Sequence, residues 1–244
     1  GTGLKAAAKA RKYWTWKRST MKVFTRLDHL YGTEMAKQAA ETLADKDDGA
    51  IYAGMAESYF DNKNYEMAAV NFEKALAEDS LDENLRLHTL KRLILISIEK
   101  SEIEKAEDFL GQAENIAPEN VDLKYVKARL MQAQEKFLEA IEVLTPVLEN
   151  WVEYKLDSAL GIGLDDLLVK MGELLYGIED HESAMKLFTS ALKQNPANAA
   201  ACFGAAKCFR DAGADKEARE MFEWAVNLAP DMSEAAAELD KLGN

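Results

Sequence analysis

The residues able to do chemistry in this sequence are few and scattered. His29, His88 and His181 fall in different stretches and have no metal-type spacing with the only cysteines, Cys202 and Cys208. Those cysteines lie six residues apart, roughly 9 Å along a helix, too far for a disulfide between them. They read as two small buried apolar side chains in a reducing compartment. Asp45-Lys46-Asp47-Asp48-Gly49 begins like a calcium loop, but the glycine comes one residue early and the closing glutamate is missing. Gly161-Ile162-Gly163 lacks the third glycine and the preceding strand that a phosphate-binding turn needs. Glu34, Glu57 and Glu173 read as solvated helix faces. The expectation is therefore a protein without catalytic residues, metal or cofactor: not an enzyme.

Elements that would position such side chains follow from composition. The 244 residues are 48% hydrophobic, enough for a core, with only 4 Pro and 13 scattered Gly. Ala, Leu, Glu and Lys dominate, which favours long helices, so the class is all-α. The longest apolar stretch, about residues 93–98, is far short of the roughly 20 residues of a membrane helix. No signal-peptide core follows the basic N-terminus, and a cytoplasmic location is expected. The start at Gly1-Thr2-Gly3 suits a processed or excised piece.

Internal repetition then fixes the organisation. Ala184, Phe188, Ala191 and Pro196 recur as Ala218, Phe222, Ala225 and Pro230, each 34 residues on. Twelve residues before each leading alanine stands a small residue followed three later by a large one, Gly172 with Leu175 and Ala206 with Phe209. The template also fits Ala56, Tyr59, Ala68, Phe72 and Ala75, and more weakly Ile94, Ser97, Ala106, Leu110, Ala113 and Pro118. A further weak match is Ala128, Met131, Ala140, Leu144 and Val147.

This pattern resembles the tetratricopeptide repeat, a pair of antiparallel helices A and B. The resemblance implies a right-handed α-α superhelix, or solenoid, of five units at about 49–82, 87–120, 121–154, 165–198 and 199–232. Residues 1–20 form a basic aromatic segment, 21–48 a helical cap or partial repeat, 49–154 three repeats, 155–164 an insertion, 165–232 two well-matched repeats, and 233–244 a C-terminal capping helix. About four extra residues near 82–86 should lengthen the second helix A. Trp151 and Tyr154, beside the insertion, are read as packing onto their own repeat.

The resemblance implies a non-catalytic scaffold that holds a protein or peptide in a groove lined by the A helices. Taking the face of each helix A turned away from its own helix B selects Lys91, Tyr125, Arg129, Gln132, Glu173, Tyr176, Phe203, Lys207 and Arg210 as groove residues. Lys-Asn pairs on successive A helices, which clamp a terminal carboxylate in chaperone-binding relatives, are absent. An acidic segment with apolar anchors is the expected ligand. The alternative is a regulatory, output or assembly module of a larger signalling or membrane-associated protein.

Charge adds a second theme. Residues 1–27 hold eight bases and no acid, so a chain of −13 leaves −21 for the rest. A body that acidic repels phosphate, and no specific nucleic acid is expected. Lys9 to Arg18 mixes bases with Tyr13, Trp14 and Trp16. Three readings stay open: an end piece covering the first repeat, docking on an acidic surface of the same chain or, as self-association, of a second one, or contact with lipid or nucleic acid, membrane contact being confined to residues 1–20. The repeat register itself makes a prediction. Ala184→Leu or Ala218→Leu adds methylenes to a close-packed seam and should cost roughly 1–3 kcal/mol in chemical denaturation, whereas a wrong register would leave both variants as stable as the parent.

Overall fold

The computed structural model describes residues 48–79, 81–154 and 160–242. The expectations for the basic segment and for most of the 21–48 cap lie outside them. Two compact units divide the chain, Gly1–Ala117 and Pro118–Asn244. In the first, α1 (Asp48–Asp61) pairs with α2 (Tyr65–Ala77), α3 (Glu83–Glu99) pairs with α4 (Ile103–Ile116), and α2 packs on α3. In the second, α5 (Val121–Ala133) pairs with α6 (Phe137–Glu149) and the short α7 (Trp151–Tyr154) follows. There α8 (Leu164–Gly177) pairs with α9 (His181–Gln194), and α10 (Ala199–Asp211) pairs with α11 (Asp215–Leu228). α12 (Ser233–Leu242) closes the unit against α11. All described regular structure is helical.

Local chemistry starts these helices where the repeat needs them. Asn64, Asp82, Asn120, Asp180 and Asn198 each accept the backbone N–H three residues on, the usual side-chain satisfaction of a helix N-terminus. The extra residues near 82–86 do lengthen a helix, since α3 has 17 residues against 14 in α1. They also bring Arg86 to the end of α2, where it donates to the carbonyls of Leu76 and Glu78 at 3.0 and 3.2 Å.

Each A–B turn has the same backbone. Lys63, Ser101, Glu135, Glu179 and Gly213 all have φ between 57° and 74°. The following N–H reaches back to the fifth residue before it: Asn64 to Tyr59, Glu102 to Ser97, Lys136 to Met131, Asp180 to Leu175 and Ala214 to Phe209, all at 2.8–2.9 Å. That closure ends helix A tightly enough for helix B to fold back antiparallel.

The seams are built from small residues. Ala56, Ala68, Ala106, Ala128, Ala140, Ala184, Ala206 and Ala218 are all fully buried. Phe188 is fully buried in a slot where a Cβ on Gly172 would stand 2.7 Å from its ring and one on Gly204 2.3 Å. Gly172 belongs to Phe188's own helix pair and Gly204 to the next. Trp151 packs into the core formed by Val147, Leu167, Met171 and Leu174. Cys202 and Cys208 are buried free thiols, with Cys208 pushed up to about 11 by desolvation.

Four of the five turns place a side-chain-bearing residue in the left-handed region, at a cost of about 1–2 kcal/mol each. Glu179→Gly removes that penalty and gives back part of it through the greater freedom of the unfolded chain. The net gain should be about 0.5–1 kcal/mol in denaturant unfolding. Gly213→Ala should lose stability, and an opposite order of the two would refute this account of the turns.

Candidate functional site

The A-helix faces carry charge networks that join one repeat to the next. In the first unit Glu57 of α1 accepts from Arg92 Nε and Nη2 of α3 at 2.9 and 3.0 Å, and lies 2.8 Å from His88 Nε2. Burial pushes the Glu57 carboxyl up, but bonds and charge from His88 and Arg92 outweigh it and hold it below its ordinary value. The Arg92 guanidinium also lies 4.4 Å over the Phe60 ring. Glu57 is thus no solvated carboxylate. Lys91 corrects the groove expectation too: it is 2% exposed, on a helix whose residues 93–97 are all buried. α3 has no wide solvent face from which Lys91 could project.

The second unit gathers the remaining expected residues into two clusters. Lys170 Nζ of α8 donates to Gln132 Oε1 of α5 at 2.8 Å and pairs with Glu173, which also accepts from Gln132 Nε2 at 3.4 Å. Tyr125 is half-buried nearby, and desolvation pushes its phenol up to about 12. Arg129 is half-buried on the same helix. Asp122, at the start of α5, is 1% exposed and accepts the Leu160 N–H at 3.0 Å.

The other cluster centres on Tyr176. Its ring stacks on His181 at 4.8 Å, and its hydroxyl donates to Asp211 and accepts from Arg210 Nη2 at 3.1 Å. Burial and the Asp211 bond push that phenol up to about 12. Arg210 also pairs with Asp211 at 2.8 Å and with Glu238 of α12. It is a groove residue by its place on helix A, but the capping helix packs on α11 where a further helix A would stack and brings Glu238 against it. Lys207 is different. Its Nζ lies 4.3 Å from the Tyr176 ring centroid and 5.1 Å from that of Phe203.

Residues 176–242 match the family model described as Tetratricopeptide repeat. A tetratricopeptide repeat protein from Parabacteroides merdae superposes with a TM-score of 0.72 at 14% identity, covering 99% of this chain and 90% of that one. Over residues 176–242 the chain carries the tetratricopeptide repeat. Yeast Tom70 gives a TM-score of 0.60 at 19% identity over 86% of this chain, a match that spans only 43% of the Tom70 chain. A chain of the APC/C hetero-tetramer Cut9–Hcn1 gives 0.68 at 12% identity, covering 91% of this chain and 42% of that one. No curated protein matches in sequence. These likenesses show the fold, the all-α superhelical repeat class.

Tetratricopeptide-repeat spacing explains which residues meet. Tyr176 and Arg210 are 34 residues apart, Tyr176 and Asp211 35, and Glu57 and Arg92 35. Complementary pairs about one repeat apart on A helices were a legible signal for Arg92, Lys170 and Asp211, none of which the face-by-face reading selected; Glu238, 28 residues from Arg210 on the capping helix, had no such signal. Among the described residues no group of His, Cys, Asp or Glu could hold a metal ion, and no helix is long and apolar enough to cross a membrane.

The Arg210 cluster predicts acid sensitivity at the C-terminal end. Bonds from Lys241 and Arg210 hold Glu238 below its ordinary value, and Asp211 is lowered despite its burial by bonds from Tyr176 and Arg210. Both carboxyls bind protons more weakly folded than unfolded. Their contribution is complete above the unfolded values near pH 4 and is lost as pH falls through the lowered ones. Glu238→Ala should cost about 1 kcal/mol near neutral pH and flatten that acid dependence, read by hydrogen exchange of the α12 amides. An unchanged acid profile would remove Glu238 from the role.

Proposed function

We propose that the chain is a protein-interaction scaffold that holds a partner segment on the A-helix row of its second unit, formed by α5, α8 and α10. One observation supports this reading above others. Lys207 is half-buried with its ammonium held over two aromatic rings, while the neighbouring bases Lys170 and Arg210 are already paired within the fold. A partner carboxylate meeting Lys207 replaces a weak ring contact by a charge-assisted bond. Phe203 and Tyr176 beside it and Tyr125 on α5 supply half-buried rings against which an apolar side chain can pack. The ligand is thus a protein or peptide that is acidic and carries apolar anchors.

The other groove residues take narrower roles. Arg129 adds positive charge to the row, while Gln132, Glu173 and Arg210 shape its floor through the bonds already described. Lys91 has no part in it. Cut9 and Hcn1 form a hetero-tetramer, and Cut9–Hcn1 shares this fold, which agrees with an assembly role and supports no particular partner.

Lys207→Glu tests the reading. Thermal stability should stay within about 1 kcal/mol, because only the ring contacts are lost. A partner isolated on the full chain from the native host should bind the variant about tenfold or more weakly by calorimetry, with a smaller salt dependence. Equal affinity for parent and variant places the partner elsewhere.

A further inference from the structure

A different face of the last repeat points to a second interaction, independent of the A-helix row. Helix α11 buries Ala218, Phe222 and Ala225 and turns Trp224 and Leu228 to solvent, 53% and 40% exposed. The repeat fold does not require them. The positions equivalent to Trp224 in the other B helices are Lys74, Gln112, Pro146 and Ser190, and those equivalent to Leu228 are Glu78, Ile116, Asn150 and Gln194. Among the described B helices, only this one sets a large aromatic and an aliphatic side chain one turn apart at these positions of the outer face.

The surround is acidic. At about 100° per residue, Glu217, Glu220 and Leu228 all lie within about 40° of Trp224 around the helix. Glu217, Glu220 and Glu223 are exposed. Residues 215–242 hold eight acids against three bases. Of those bases, Arg219 is turned to the Leu242 carbonyl and Lys241 to Glu238, leaving only an exposed, 4.0 Å pairing of Lys216 with Glu220. An apolar centre ringed by one sign of charge selects a basic segment with aromatic side chains.

We propose that this face binds the basic aromatic segment at residues 9–18 of a second copy of the chain. That segment carries Lys9, Arg11, Lys12, Lys17 and Arg18 with Tyr13, Trp14 and Trp16, and no acid. Its rings and bases meet the Trp224 indole by aromatic and cation–π contact, and its remaining bases meet Glu217, Glu220 and Glu223. A contact that joins the start of one chain to the end of another closes into a dimer where two chains exchange segments, and otherwise propagates into rings or open chains.

Sedimentation velocity of the full chain tests this at about 0.01 M salt, where the Debye length is ~30 Å, and at about 1 M, where it is ~3 Å. The parent should form species larger than a monomer at low salt, growing with concentration, and dissociate at high salt. Trp224→Ala should weaken association by about tenfold or more, with far-UV helicity unchanged because the side chain is exposed. E217K/E220K/E223K and K9E/R11E/K12E should each abolish it, and the chain carrying all six changes should associate again, which also shows that it folds. A parent that stays monomeric, association indifferent to either set of changes, or failure of the six-fold variant to recover would each overturn the proposal. Lys207→Glu should leave association unchanged, so failure here is distinct from failure of the A-helix row.

Discussion

The Phe188 ring needs two backbones without side chains beside it, one from Gly172 of its own helix pair and one from Gly204 of the next. No single pair can satisfy it. A helix B whose ring is only half enclosed leaves apolar surface in water, so each pair is completed by the helix A that follows. At the C-terminal end the same demand falls on α12. Phe222 is fully buried with Phe203 5.7 Å away, and Ala235 of α12 joins that core. The capping helix is thus a consequence of the ring that precedes it.

Stacking of this kind decides which polar side chains are available. Once successive A helices lie side by side, residues about 34 positions apart become neighbours, and charges on them find each other before they find a partner. Glu57 with Arg92, Lys170 with Gln132, and Tyr176 with Arg210 and Asp211 are such pairings. Partly buried and hydrogen-bonded, they fix the register between repeats. Lys207 differs because its neighbours are rings, which attract the cation without satisfying its hydrogen-bond donors.

The seam was legible because it is local and periodic: Ala184, Ala206 and Ala218 recur at fixed offsets, and the additional residues near 82–86 showed as a break in that period. The turns were legible only in part. Gly213 advertises its left-handed backbone, whereas Lys63, Ser101, Glu135 and Glu179 adopt the same conformation with no residue type that announces it. The A-helix face was the least legible feature. Counting residues around one helix cannot see what the next helix brings, so Arg210 looked free although Glu238 faces it, and Lys91 looked exposed on a helix buried on several sides.

The last repeat presents two faces of opposite character on one core. Toward the A-helix row, Lys207 and Phe203 offer a cation beside rings. On the outer face of α11, Trp224 and Leu228 offer an indole and an aliphatic chain among carboxylates. Between them lie Ala206, Ala218, Phe222 and Ala225, all fully buried and close-packed. A packed apolar layer has no second arrangement of bonds to pass from one face to the other, in contrast to the Arg210 cluster, whose hydrogen bonds could exchange partners. The two proposed contacts are therefore separable physically: an acidic partner draws on one face, a basic segment on the other, and neither competes for the other's charge.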